Sequence, residues 1–117
     1  MKQAVILLGH GSIREHANVE VRGMWQMMKE QLPELNISGA FVEVADPTLE
    51  QEIDRLAAEG MERIIIVPMF LTRGQHLSNG IPRILDAMRE KHGHIQIDIA
   101  AIGLNSLIRK LIRRVGS

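Results

Sequence analysis

Four short apolar runs alternate along the chain with longer stretches whose apolar positions step at the helical period. The most marked lies in Glu62 to His76, ERIIIVPMFLTRGQH, where Ile64 to Val67 are β-branched without a polar interruption. Such a run fits a strand buried on both faces, at the centre of a parallel sheet. Pro68 cannot donate to a ladder, so it marks the point where the strand leaves the sheet. Gln3 to Leu8, Ile37 to Val44 and Ile95 to Ala101 read as the other three strands.

Between them the helices announce their ends. Ser12 with Glu15 three residues on has the spacing of a capping box, and Ala17, Val21, Met24, Trp25, Met28 and Leu32 follow at helical spacing until Pro33. Asp46 followed by Pro47 reads as an N-cap with proline at the first helical position, with Leu49, Ile53, Leu56 and Ala57 as the inward stripe and Gly60 as the stop. A third helix starts at about Asn79 with Ile81, Ile84, Leu85 and Met88 inward and Gly93 at its end. A fourth is capped by Asn105 and runs through Ile108, Leu111, Ile112 and Val115. The order βαβαβαβα predicts an α/β fold: a single four-stranded parallel sheet with helices on both faces, one domain over residues 1–117.

Composition narrows the chemistry. Fourteen basic and 14 acidic side chains cancel, so no overall field exists to hold nucleic acid or an anionic membrane. There is no cysteine, which removes disulfides, thiolate catalysis and thiolate metal sites. The opening apolar run AVILL is too short for a membrane span or a signal peptide, and the expectation is a soluble, cytoplasmic protein.

On this scaffold the suggestive side chains gather at one edge. His10 follows the first strand, Glu43 and Asp46 sit at the end of the second, and His76 lies in the loop after the third. Open α/β sheets keep their ligands at the carboxyl ends of the strands. Two imidazoles and a carboxylate suit a divalent first-row ion, and they equally suit proton abstraction near neutral pH. Glu43 lies in a mostly apolar strand, where a buried carboxylate has a raised pKa unless a cation or metal offsets the desolvation; the plainer alternative is a strand-end acid bonded to loop amides. Asp46 is explained by its cap role, though a cap at a site mouth can serve both purposes.

Arg14, Arg73 and Arg83 are the cations placed to face an anionic ligand at that edge. His92 and His94 flank Gly93 at the opposite edge and read as solvated, and His16 reads as a surface residue. Gly9-His10-Gly11-Ser12 opens like a dinucleotide fingerprint, but Arg14 stands where the third glycine belongs. The turn can still hold a phosphate or carboxylate at the following helix. Of seven methionines, Met27 falls off the first helix's stripe and Met69 falls near the site, which makes them candidates for a ligand surface or a dimer contact.

GHGS at 9–12 with Ala17-Asn18 downstream, VEVADPTLEQ at 42–51, and VPMFLTRGQH at 67–76 followed by Ile81-Pro82 together resemble the small sirohydrochlorin cobaltochelatases, CbiX-type members of the class II tetrapyrrole chelatases. The resemblance implies a chelatase-like, flavodoxin-like half domain working as a homodimer. It implies ATP-independent insertion of Co²⁺, or of Ni²⁺ or Fe²⁺, into sirohydrochlorin, with the metal as substrate and no prosthetic group. By the same resemblance His10 is proton acceptor and metal ligand, His76 the second metal ligand, and Glu43 an aid to metal binding or proton removal. Asp46 and the loop of Leu71, Thr72, Arg73, Gly74 and Gln75 are implied to contact the macrocycle. The chain departs from the family at Asp46, often Glu, and at Gly80, where an Asp usually precedes the Ile-Pro pair. Two rival readings remain at this level: a Co/Ni metallochaperone or sensor using the same histidines, and a phosphate- or nucleotide-binding doubly wound module using Gly9 to Ser12.

Overall fold

The computed structural model describes residues 2–69 and 80–100. Within them the chain runs through β1 (Gln3–Gly9), α1 (Glu15–Gln31), β2 (Ile37–Phe41), α2 (Leu49–Ala58), β3 (Arg63–Pro68), α3 (Ile81–Lys91) and β4 (Gln96–Ile99). The expected fourth helix and the Leu71 to His76 loop lie outside the described residues.

The four strands form one parallel sheet in the order β2-β1-β3-β4. The Ile64 to Val67 run is therefore interior, and Pro68 is the last residue of β3, where a missing N–H costs no ladder bond. From β1 the chain steps to β2 on one side, then returns past β1 to β3 and continues to β4. That reversal puts the topological switch point between β1 and β3, the crevice where doubly wound sheets of this order bind ligands.

Alternation along β1 sorts the core into two layers. Ala4, Ile6 and Leu8 face α2 and α3, meeting Leu49, Ile53, Leu56, Ile81, Leu85 and Met88. Val5 and Leu7 face the other way, with Trp25, Leu32, Ile37, Phe41 and Val67. Helices thus cover both faces, α1 on one and α2 with α3 on the other. Trp25 lies flat on Gly39: a Cβ there would come 2.0 Å from the indole, so β2 must carry glycine where α1 crosses it.

Several expected boundaries move. β2 stops at Phe41 rather than Val44, and the chain doubles back so that Phe41 N–H donates to the Pro47 carbonyl at 2.8 Å. Asp46 is not the cap of α2. The Asp46–Pro47 peptide is cis, and Thr48 caps instead, its Oγ1 accepting from Gln51 N–H (3.3 Å) while Gln51 Oε1 accepts from Thr48 N–H (2.8 Å). The reciprocal pair satisfies two of the amides a helix start leaves orphaned. At α1 the Ser12 and Glu15 box does not form, and Arg14 occupies the cap position without a side-chain bond. α3 begins at Ile81 after Gly80 in the left-handed region (φ 78), with Pro82 in its first turn. Among the described residues no helix is long and apolar enough to cross a membrane.

Candidate functional site

β1 delivers its exit turn in a conformation that few residues can adopt. Gly11 has φ +96, and a Cβ on it would lie 1.8 Å from the Glu43 carbonyl oxygen. Two independent constraints, the left-handed backbone and the touching strand exit, therefore require glycine here. His10, just before it, is exposed. Its Nδ1 lies 3.3 Å from the Gly11 carbonyl; with the ring proton on that nitrogen, the lone pair that can bind a metal or accept a proton is on Nε2.

The turn is held by Asn18, which is only 2% exposed. Its Oδ1 accepts from Ser12 N–H at 2.9 Å, and its Nδ2 donates to the Ser12 carbonyl at 2.8 Å and to Glu15 Oε2 at 3.1 Å. One buried amide thus replaces the expected capping box. Glu15 is drawn away from a cap role by Arg22, whose Nη1 donates to its Oε1 at 2.5 Å. That bond, followed by the one from Asn18, holds the Glu15 carboxyl below its ordinary pKa.

Past the end of β2 the two exits remain joined. Val42 N–H donates to the Gly9 carbonyl at 2.9 Å, and Glu43 N–H to the His10 carbonyl at 3.3 Å. The Glu43 side chain is exposed, not buried as its apolar neighbours suggested, because the strand has already ended. Val44 then takes φ 75 and is 64% exposed, while Ala45 N–H closes back onto the Glu43 carbonyl at 2.9 Å. A three-residue turn with a β-branched centre at positive φ is a true backbone outlier, of a kind that concentrates at functional sites. Asp46 is exposed, and its carbonyl accepts from Arg22 Nη2 at 3.0 Å; the Arg22 guanidinium sits 5.2 Å from the centre of the Phe41 ring.

Beside these loops a cleft of about 270 Å³ opens, lined by the Gly9 to Ser12 turn, Ala17, Asn18, Val21, Met24, Phe41 and Met69. Met24, expected inward with the α1 stripe, is 47% exposed at this cleft, and Met69 lines it as its position after β3 suggested. Met27 is exposed, as its place off the stripe predicted.

Of the predicted site residues, the structure brings His10, Glu43 and Asp46 to one edge. His76 and Leu71, Thr72, Arg73, Gly74 and Gln75 lie outside the described residues. Among the described residues no three potential metal ligands cluster around one point. Arg14 and Arg83 are exposed at the beginnings of α1 and α3. His92, read from sequence as solvated, is instead paired: its Nε2 lies 2.7 Å from Asp54 Oδ1, with Lys91 Nζ 3.1 Å from the same carboxylate. Reasoning from sequence missed Asn18 and Arg22 as structural agents of the site. Asn18 carried a signal, a polar residue near an apolar stripe that proves buried; Arg22 carried none.

Known proteins with similar sequence and fold complete the picture. A sirohydrochlorin cobaltochelatase from Methanococcus aeolicus is 37% identical over 91 residues, 77% of this chain and 64% of the relative. A chloroplastic sirohydrochlorin ferrochelatase from Arabidopsis thaliana is 27% identical over 92% of this chain and 48% of its own length. The chain thus spans less than two thirds of these relatives. Among solved structures, a CbiX protein from Marinobacter aquaeolei VT8 superimposes with a TM-score of 0.77 at 29% identity, covering 99% of this chain and 93% of that one. The sequence profile of the CbiX family matches residues 4–115, nearly the whole chain, and this chain belongs to the CbiX family.

Proposed function

We propose that this chain inserts a divalent metal ion into sirohydrochlorin without ATP. The observation that carries the reading is the joined pair of strand exits, His10 beside Glu43 at the carboxyl edge of a CbiX-family sheet. The named activities of the relatives support the substrate, and they differ in the metal, cobalt in one and iron in the other.

Insertion exchanges two pyrrole N–H protons for one M²⁺, so a base and a metal-holding group must reach the same face of the macrocycle. His10 Nε2 first holds the metal and, once the ion has passed to the macrocycle, takes a pyrrole proton on the same lone pair; His76 is the second ligand. Glu43, exposed beside His10, provides a carboxylate that balances the charge of the incoming cation and passes protons to solvent. Asp46 and the Leu71 to Gln75 loop contact the macrocycle, with Arg73 meeting a substrate carboxylate. Ligand sites that bury a broad plate need walls on both sides, and one 117-residue domain offers one. The working unit in this reading is a homodimer with two-fold symmetry, which also accounts for relatives about twice as long.

The test is incubation with sirohydrochlorin and Co²⁺, Ni²⁺ or Fe²⁺ in turn, followed by absorption spectra. The expected result is conversion to the metallated spectrum by the wild-type chain. It is reduced roughly a hundredfold or more in His10→Ala and His76→Ala, and unchanged in His94→Ala, whose exposed imidazole lies at the opposite edge. Co²⁺ binding with an unchanged tetrapyrrole spectrum would assign the histidines to metal carriage instead. Equal loss in all three variants would overturn the site.

A further inference from the structure

One face of α1 carries a continuous hydrogen-bonded chain whose two ends lie in different strand-exit loops. It runs from both backbone groups of Ser12 to the Asn18 amide, from Asn18 to Glu15, from Glu15 to Arg22, and from Arg22 to the Asp46 carbonyl. Residues 15, 18 and 22 are three and four apart, the spacing that stacks side chains along one helix face. Ser12 is two positions beyond His10, and Asp46 is three positions beyond Glu43.

We propose that Glu15, Asn18 and Arg22 are positioning residues that fix the spacing between His10 and Glu43. The proposal rests on the reading of those two residues as the reacting pair. An ordinary helix cap would need only the first turn of α1; it would not need Arg22 to reach across to the β2 exit. The residue types match the task. The Asn18 amide accepts from the N–H and donates to the carbonyl of the same residue, Ser12, which a carboxylate cannot do, and a carboxylate there would also face Glu15. The Arg22 fork reaches two acceptors at once, 2.5 Å and 3.0 Å away, with Phe41 beneath its guanidinium; a lysine ammonium cannot reproduce that planar grip. The strained turn at Val44 lies between the clamped Asp46 carbonyl and Glu43, so slack in the clamp is transmitted to Glu43.

The test compares Asn18→Asp, Arg22→Lys, their double variant and His10→Ala with the wild-type chain. The readouts are kcat, KM for sirohydrochlorin, and the visible ligand-field spectrum of Co²⁺ bound without tetrapyrrole. Misplacement of reacting groups acts on the chemical step, so kcat is expected to fall roughly ten- to a hundredfold in each single variant with KM within about twofold. The Co²⁺ spectrum should change in both. Because one broken link opens the chain, the double variant should lose little more than either single. Should Asn18→Asp not fold, Arg22→Lys decides alone, since its partly exposed side chain tolerates exchange. Unchanged kcat and Co²⁺ spectrum in Arg22→Lys, with His10→Ala inactive, would overturn the clamp and leave the site standing. Multiplicative losses in the double variant would also overturn it. An active His10→Ala would overturn the site and the clamp together.

Discussion

The two edges of the sheet solve the same problem, leaving or entering a strand, in opposite ways. At the amino edge the α2 to β3 connection turns at Gly60 with φ +86, and a Cβ there would meet nothing nearer than the Lys2 ammonium at 3.7 Å. The surrounding bonds are ordinary: Lys2 Nζ donates to the Glu59 carbonyl, and Lys2 N–H to Glu62. At the carboxyl edge Gly11 has a similar φ, but its Cα is pressed against another loop's carbonyl. Here a valine sits at positive φ, an amide is buried to hold a turn, and Ile13 is 91% exposed. The amino edge obeys local propensity. The carboxyl edge violates it repeatedly, which is where a fold gives up stability to arrange side chains.

Gly11→Ala against Gly60→Ala is the sharpest way to break this contrast. Both substitutions incur the left-handed cost of ~1–2 kcal/mol, which is the whole expected effect at Gly60. Gly11→Ala must also push the Glu43 loop away, so it should lose more than about 2 kcal/mol by urea denaturation and at least tenfold in kcat. Equal stability losses would show that the edges do not differ. Val44→Gly should come next in size and have the opposite sign in stability. Relief of ~1–3 kcal/mol of backbone strain, less ~0.5–1 kcal/mol of added unfolded-state entropy, predicts a gain of up to about 2.5 kcal/mol. Metal insertion should slow if the turn aims Glu43; a more stable and equally active variant would deny the strain any role there.

The smallest effect belongs to Asp54 at the amino edge. Its hydrogen bonds to His92 first and Lys91 second lower its pKa in the folded chain. A carboxyl with a lowered folded pKa contributes stability above its unfolded value of ~3.9, and that contribution is lost as pH falls from there through the folded value. Asp54→Asn should therefore lower stability at pH 7 by less than about 1 kcal/mol, given the exposure of the pair, and flatten the acid limb below about pH 4. Activity at pH 7 should not change. An acid limb identical to that of the wild-type chain would show that the pair is electrostatically idle.

Much of the fold was legible because it is local and repetitive. The β-branched run at Ile64 to Val67 and the stripe of Leu49, Ile53 and Leu56 each report burial through local pattern alone, and all are buried as read except Ile65, which is half-buried. What misled were adjacent signals in competition. Asp46-Pro47 and Thr48-x-x-Gln51 both look like helix starts, and only the second forms reciprocal bonds. Ser12 and Glu15 have the right spacing, but Glu15 has a better partner seven residues away. The site was legible as an edge, because topology alone gathers strand exits. Its internal arrangement was not, since the need for glycine at position 11 is set by a carbonyl 32 positions away, just as the His92–Asp54 pair at the opposite edge joins residues 38 positions apart.

The seat of α1 on the sheet has a spectroscopic consequence. Trp25 is the single tryptophan of the chain, 7% exposed, its indole resting on Gly39 and 4.8 Å from the Phe41 ring, with no hydrogen-bond partner for its buried N–H among the described residues. An indole in that setting emits at shorter wavelength than one in water, and there is no second tryptophan to obscure it. The helix that carries Asn18 and Arg22 thus holds its own unlabelled optical reporter. Its emission registers whether α1 is docked on β2 while metal, tetrapyrrole or substitutions act on the loops a few residues away.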